Sequence, residues 1–307
     1  MMKIDIHGLI AAGFSPFDID GNLNLKPIQK LVDQLIEDGI SGFYLMGSTG
    51  EGLSLALQDR KLITERYIKA INHRVPVIVN VSHTSYEVSR NLIHHAVRMG
   101  ADAVSATLTS YYPISTIDQL IYGIEKISEC QDKIPFIYYH IPSKTGLNFN
   151  MLSFLDQLDG RLPQLGGIKY TAGTIDDFML CRQKYGDRYK MYFGVDELFL
   201  PALALGVDSF MGSTYNFMLP LYQLLLENYD KNEKEQALHY YHQIVLIIKT
   251  FLKYDGLAAQ KAIMRMAGHD FGPPRSPVIP LTSKEYKTLE AALQKINYFD
   301  HAILSKV

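Results

Sequence analysis

Short runs of β-branched and aromatic residues recur along the first two thirds of the chain, separated by longer stretches with helical spacing of apolar positions. The short runs read as strands near Leu9–Phe14, Gly42–Met46, Val75–Val81, Ala103–Leu108, Pro135–Tyr139, Gly167–Tyr170, Met191–Gly194 and Ser209–Gly212. The amphipathic stretches predict helices over Lys26–Asp38, Gln58–Asn72, Ser85–Met99, Thr116–Glu129, Met151–Leu158, Thr174–Lys184, Glu197–Leu205 and Leu219–Tyr229. Eight strands, each followed by a helix, predict an α/β protein of the (β/α)8 TIM barrel type. Gly39, Gly100 and Gly206 follow helical patterns as C-terminal caps, and Ser85 stands where an N-cap belongs.

The chain continues past the eighth helix. Glu233–Tyr254, Leu257–Met266 and Ser283–Ile296 read as further helices, with the proline-rich break Gly272-Pro273-Pro274-Arg275-Ser276-Pro277 before the last. We therefore expect a catalytic barrel over residues 1–230 and a C-terminal helical extension over 231–307, packed on the barrel or on a neighbouring subunit. A separate small domain is the alternative.

Composition narrows the partners. Hydrophobic residues make up 47% of the 307, enough for a large core rather than a disordered chain. Thirty basic against 32 acidic residues leave no basic footprint for nucleic acid. The N-terminus has no apolar run of signal-peptide type, and no stretch approaches the length of a membrane helix. The expected setting is the cytoplasm. The two cysteines, Cys130 and Cys181, suffice neither for a disulfide framework nor for a four-thiolate zinc site. His94-His95 and His239/His242 sit on helical patterns without carboxylate or thiol partners at ligand spacing, so they read as helix-surface residues and no metal is expected.

In barrels of this kind chemistry gathers at the C-terminal ends of the strands, and unusual polar residues fall there. Lys169 interrupts the apolar run Leu165-Gly166-Gly167-Ile168-Lys169-Tyr170. A lysine surrounded by barrel atoms loses hydration, its pKa drops, and the neutral amine becomes a nucleophile able to form a Schiff base. A lysine that snorkels to solvent is the plainer reading. Tyr139 ends the preceding strand and should neighbour Lys169, where a phenol could shuttle a proton; rim packing is its alternative. Gly47-Ser48-Thr49-Gly50 offers hydroxyls and backbone N–H groups to a carboxylate, or is an ordinary turn; it lacks the phosphate-loop pattern. Asp196-Glu197, at the exit of the seventh strand, suits vicinal hydroxyls, a metal, or simple helix capping.

Gly47-Ser48-Thr49-Gly50-Glu51, Tyr139 ahead of Ile141-Pro142, and Gly167-Ile168-Lys169 occur in the order that marks a family. The chain resembles the pyruvate-dependent class I aldolases that include N-acetylneuraminate lyases and dihydrodipicolinate synthases, over the whole barrel and into the tail. The lyase branch is the nearer, on Gly-Ser-Thr-Gly-Glu, Gly194-Val195-Asp196-Glu197 and Gly212-Ser213-Thr214-Tyr215-Asn216. The resemblance implies Lys169 as Schiff-base lysine, Tyr139 as proton-transfer residue, and Ser48 and Thr49 as the carboxylate site. It implies Thr171, Gly194, Asp196, Glu197 and Ser213 along a sugar-derived chain. Tyr111, in Ser110-Tyr111-Tyr112-Pro113, resembles the tyrosine that the family inserts into a partner's site, which implies a homotetramer built as a dimer of dimers.

The implied reaction is reversible cleavage of N-acetylneuraminate, a 2-oxo acid sugar, to pyruvate and N-acetylmannosamine, with no cofactor. Lys144 departs from the lyase pattern. It stands where lyases usually carry an apolar residue and synthases an arginine that binds a substrate carboxylate, and lysine lacks arginine's fork. Synthase activity, or another pyruvate-dependent aldolase with a different aldehyde acceptor, is therefore the alternative. A metal-dependent aldolase and a barrel that binds ligand without turnover are more distant readings.

Overall fold

The computed structural model describes residues 4–300. Met1–Lys3 and residues 301–307, the last part of the expected extension, lie outside the described residues. Eight parallel strands close into a barrel in sequence order. They are β1 (Gly8–Ala12), β2 (Gly42–Leu45), β3 (Val77–Asn80), β4 (Ala103–Ala106), β5 (Phe136–His140), β6 (Leu165–Tyr170), β7 (Lys190–Phe193) and β8 (Ser209–Gly212). All eight expected strands are present, with ends displaced by a few residues. β1 pairs with β8 from Gly8↔Ser209 to Ala11↔Gly212, which completes the ring.

Around the barrel run α1 (Pro27–Glu37), α2 (Leu57–Ile71), α3 (Tyr86–Met99), α4 (Ile117–Ser128), α5 (Pro142–Thr145), α6 (Met151–Asp156), α7 (Ile175–Tyr185), α8 (Phe199–Ala204) and α9 (Tyr215–Asp230). Then follow α10 (Lys234–Phe251), α11 (Gly256–Met266) and α12 (Ser283–Lys295). The apolar residues form two layers. One lies between strands and helices, and α10 joins it through Ile244, Ile247, Ile248 and Phe251. The other fills the barrel itself with Ile10, Ala12, Tyr44, Ile78, Ile137, Tyr139, Tyr192 and Met211. Alternation along each strand sorts side chains between the two, so parity decides which residues can reach the barrel mouth.

Several expectations need correction. The helix expected from Leu219 begins four positions earlier, at Tyr215, and kinks at Met218 (φ −144°, ψ 32°), two residues ahead of Pro220. Proline has no N–H to continue the ladder, so the sequence pattern misses the first turn. The helix expected over Glu197–Leu205 divides into a 3-10 turn at Asp196–Leu198 and α8. The one-turn α5 was not anticipated. Ser85 occupies the N-cap of α3, but its side chain makes no capping bond. Thr116 and Thr282 do cap, each in a reciprocal box with Gln119 and Glu285 respectively.

His95 is not a surface residue. It is buried, shares a face with Leu92 and Ala96, and meets Glu65 of α2 at 2.9 Å from Nε2. The two adjacent histidines point to different faces, and only His94 reaches solvent. Gly39, Gly100 and Gly206 all have positive φ and close their helices as expected. Among the described residues no helix is long and apolar enough to cross a membrane.

Candidate active site at the barrel mouth

Lys169 is 4% exposed, near the end of β6, directly in register with Tyr139 on β5 and Tyr192 on β7. Register partners in a parallel sheet point the same way, so all three enter the barrel. The Lys169 Nζ lies 3.8 Å from the centre of the Tyr44 ring and 4.4 Å from that of Tyr139. The rings favour a cation, but desolvation dominates. Burial lowers the ammonium pKa to about 7, against the partial opposition of the Asp196 charge. The amine is therefore available in neutral form near physiological pH.

Tyr44 was not singled out from sequence, although its inward parity on β2 could have flagged it. Its hydroxyl accepts from Asn80 Nδ2 at 2.9 Å and lies 3.2 Å from Ser105 Oγ. Beneath these, the buried Arg60 guanidinium donates to the Ser82 and Asn80 carbonyls at 2.7 and 2.9 Å. The floor under the lysine is thus fixed from three strands and one helix.

The Tyr139 phenol is held above its ordinary pKa by burial, while its contact with Ser48 works the other way. Ser48 Oγ stands 3.5 Å from that phenol oxygen. Ser48 and Thr49 belong to a tight turn after β2 whose backbone closes with Glu51 N–H donating to the Ser48 carbonyl and Gly52 N–H to the Gly47 carbonyl. Close packing dictates the glycines there. A Cβ on Gly52 would sit 2.0 Å from the Met46 carbonyl oxygen. Ser15 Oγ donates to the Gly50 carbonyl at 2.5 Å from the other side.

Across the mouth, Asp196 is buried and accepts from the Thr214 N–H and hydroxyl at 3.2 and 2.7 Å. Burial pushes its carboxyl up to about 6, with the Thr214 bonds and the Lys169 charge acting in the opposite sense. Asp196 therefore does more than cap a helix: it ties the β7 exit to the β8 exit and sets the field at Lys169. A Cβ at Gly194 would lie 2.3 Å from Thr171 Oγ1, so a larger residue there would displace that hydroxyl.

Ser48, Thr49, Tyr139, Lys144, Lys169, Thr171, Gly194, Asp196, Glu197 and Ser213 all line one cavity of about 660 Å³. Lys144 is exposed on α5 at its rim. Tyr111 is the exception. It is 91% exposed, packs edge-on against Tyr112, and lies outside this cavity. Sequence reading also missed the far wall, where Phe251, Leu257, Gln260, Arg275 and Val278 of the extension face the strand ends. Among the described residues no three histidine, cysteine, aspartate or glutamate side chains group closely enough to hold a metal.

A model of the dihydrodipicolinate synthetase family matches residues 5–296. The chain belongs to this family. Its curated relatives include the N-acetylneuraminate lyase of Rattus norvegicus, 31% identical over 96% of this chain and 94% of the relative. Among solved members of the family, the N-acetylneuraminate lyase of Proteus mirabilis superposes with a TM-score of 0.92 at 31% identity, covering 96% of this chain and all of that one (100%). The N-acetylneuraminate lyase of Aliivibrio salmonicida gives 0.91 at 32%, covering 97% and 98% of the respective chains. Likeness to the family therefore takes in the extension as well as the barrel.

Proposed function

We propose that the protein is a Schiff-base aldolase that reversibly cleaves N-acetylneuraminate to pyruvate and N-acetylmannosamine. The observation that carries this reading is the Lys169 amine, buried against two phenol rings and brought to about 7, in a cavity that also holds the hydroxyls of Ser48, Thr49 and Thr171 and the carboxyl of Asp196. Full-length relatives named N-acetylneuraminate lyase supply the substrate.

Ser48 and Thr49 hold the substrate carboxylate and so place the adjacent keto carbon beside Lys169. The neutral amine adds to that carbon, and the hydroxyl of the resulting carbinolamine takes a proton from solvent and leaves as water, giving the cationic iminium. The cationic nitrogen draws the electron pair of the bond between the third and fourth carbons, which breaks. Tyr139 takes the proton of the fourth-carbon hydroxyl as the aldehyde forms. The Lys169 nitrogen stands 4.4 Å from the Tyr139 ring in the free protein, and once it carries the fixed charge of the iminium that phenol gives its proton to solvent more readily and can then accept. The enamine is then protonated on carbon, and water hydrolyses the iminium to release pyruvate and restore the amine. Thr171, Gly194, Asp196, Glu197 and Ser213 position the polyhydroxy chain, remote binding that orients the reacting bond.

Lys144 supports a second reading. An exposed cation on the cavity rim suits an acceptor aldehyde that carries its own carboxylate, as in dihydrodipicolinate synthase activity. We further propose a barrel of residues 1–230 with an extension from 231, acting in the cytoplasm as a homotetramer, a dimer of dimers. The exposure of Tyr111 supports the assembly, because in a neighbour's cavity it would be covered.

The test is product formation. N-acetylneuraminate should yield pyruvate and N-acetylmannosamine, and pyruvate with borohydride should leave an adduct on Lys169 that Lys169→Ala abolishes. Adduct formation without turnover of N-acetylneuraminate moves the assignment to the second reading. No adduct removes both.

A further inference from the structure

Glu51 closes the turn that carries Ser48 and Thr49 and lines the same cavity, while its carboxylate is buried against the extension. Its Oε1 lies 2.7 Å from Lys261 Nζ of α11, and both side chains are almost wholly buried. Its Oε2 accepts from the Arg275 backbone N–H at 2.5 Å. Lys261 also donates to the Pro273 carbonyl at 2.9 Å and stands 4.5 Å above the Phe17 ring, which meets a second cation in the Arg275 guanidinium at 4.4 Å. The Phe17 N–H donates to the Phe271 carbonyl, and Gly272, with φ +68°, has room for no Cβ against the Phe17 carbonyl. The proline-rich strap is thereby clamped at one point to the β1 exit and at another to Glu51.

The backbone of Glu51 makes the connection mechanical. It sits at φ +53°, a left-handed conformation that a side chain of this kind adopts only when surrounding contacts impose it. The residue's N–H is the one that closes on the Ser48 carbonyl. Pull from the carboxylate is thus transmitted two and three residues back, to Thr49 and Ser48. Burial alone would drive the Lys261 ammonium toward its neutral form, and the Glu51 charge resists that. A buried pair broken on one side leaves an uncompensated charge, so the clamp holds only while both members are present.

We infer that the Glu51–Lys261 pair is a positioning device for the carboxylate-holding turn, through which the C-terminal extension sets affinity for the 2-oxo acid. The inference rests on the proposed roles of Ser48 and Thr49 in carboxylate binding. Glu51 and Lys261 are positioning residues, since their charged groups are spent on each other.

The experiment uses the full chain in the condensation direction, with pyruvate and N-acetylmannosamine varied separately, for Glu51→Gln, Lys261→Met and the double variant. The single variants should raise KM for pyruvate by about tenfold or more and leave kcat and KM for the aldehyde within about threefold. Trapping of the pyruvate adduct at graded pyruvate should show the same displacement without turnover. The double variant, neutral on both sides, should recover part of the loss relative to Lys261→Met. A pyruvate KM within about twofold of the parent in folded Glu51→Gln overturns the inference. So does an equal rise for both substrates that tracks a fall in unfolding temperature, because that is general loosening. Glu51→Gln keeps the side-chain shape and decides the matter even if Lys261→Met does not fold. Failure of the parent protein to form any pyruvate adduct is a different result: it removes the aldolase reading, and the inference with it.

Discussion

Asp196→Asn tests whether the field at the barrel mouth governs the reactive amine. In the parent protein Lys169 titrates near 7 and Asp196 near 6. At pH 6 about one lysine in ten is then neutral, and at pH 8 about nine in ten, so adduct formation with pyruvate rises about tenfold between them. Below pH 6 Asp196 also takes up a proton, and the anion that stabilises the ammonium disappears. The acid limb should therefore be shallower than one isolated ionisation. Asparagine can still accept from Thr214 but carries no charge at any pH. The lysine then loses its proton more readily, and the limb should move to lower pH by about one unit, about 1.4 kcal/mol. The assay is the initial rate of adduct formation trapped by cyanoborohydride, read by intact mass from pH 5 to pH 9. A flat profile for the parent, or a limb that moves to higher pH in Asp196→Asn, refutes the reasoning.

Tyr139→Phe should keep adduct formation with pyruvate and lower kcat for cleavage by about 100- to 10,000-fold, since only the proton acceptor is lost; adduct loss in parallel would assign Tyr139 to the earlier steps. Lys169→Met should be inactive yet more stable at pH 7, by roughly 4 kcal/mol in chemical unfolding. The sign follows from the native pKa of about 7 against 10.5 for an ordinary lysine. The unfolded chain takes up a proton that the native state refuses, so the penalty is complete below pH 7 and fades as pH rises toward 10.5; a variant no more stable than the parent contradicts it. Asp177→Ala should destabilise by about 2–4 kcal/mol without changing KM. Its buried carboxylate accepts from Asn150 Nδ2, the Met151 and Leu152 N–H groups and the Tyr170 hydroxyl, and so caps α6 from α7. An unchanged urea midpoint would show that capping to be idle.

The barrel was legible because strands buried on both faces and helices buried on one leave different periods in the sequence. Lys169 was legible for a related reason: a charge inside an apolar strand has no bland explanation once its neighbours are also polar. What local pattern hides is contact between distant segments. Tyr44 looks like any strand aromatic until closure of the barrel brings its ring against the Lys169 amine, and His95 looks exposed until α2 is packed beside it. The kink at Met218 concealed the first turn of α9, which begins immediately after the cavity residue Ser213 and its neighbour Thr214. The role of the proline-rich break was equally invisible, because Glu51 and Lys261 are more than two hundred residues apart and each, read alone, is an ordinary surface charge.

The far wall of the cavity comes from residues as late as Arg275 and Val278, long after β8 has closed the ring. A nascent polypeptide that has just released its eighth strand from the ribosome already owns the lysine, the phenol and the hydroxyl turn, but lacks the enclosure around them. Synthesis thus separates possession of the reactive groups from the ability to shelter an intermediate. Nascent chains stalled before Gly272 should stay silent toward pyruvate under trapping conditions that label the finished product, and a stalled chain labelled just as fast would show that shelter to be dispensable.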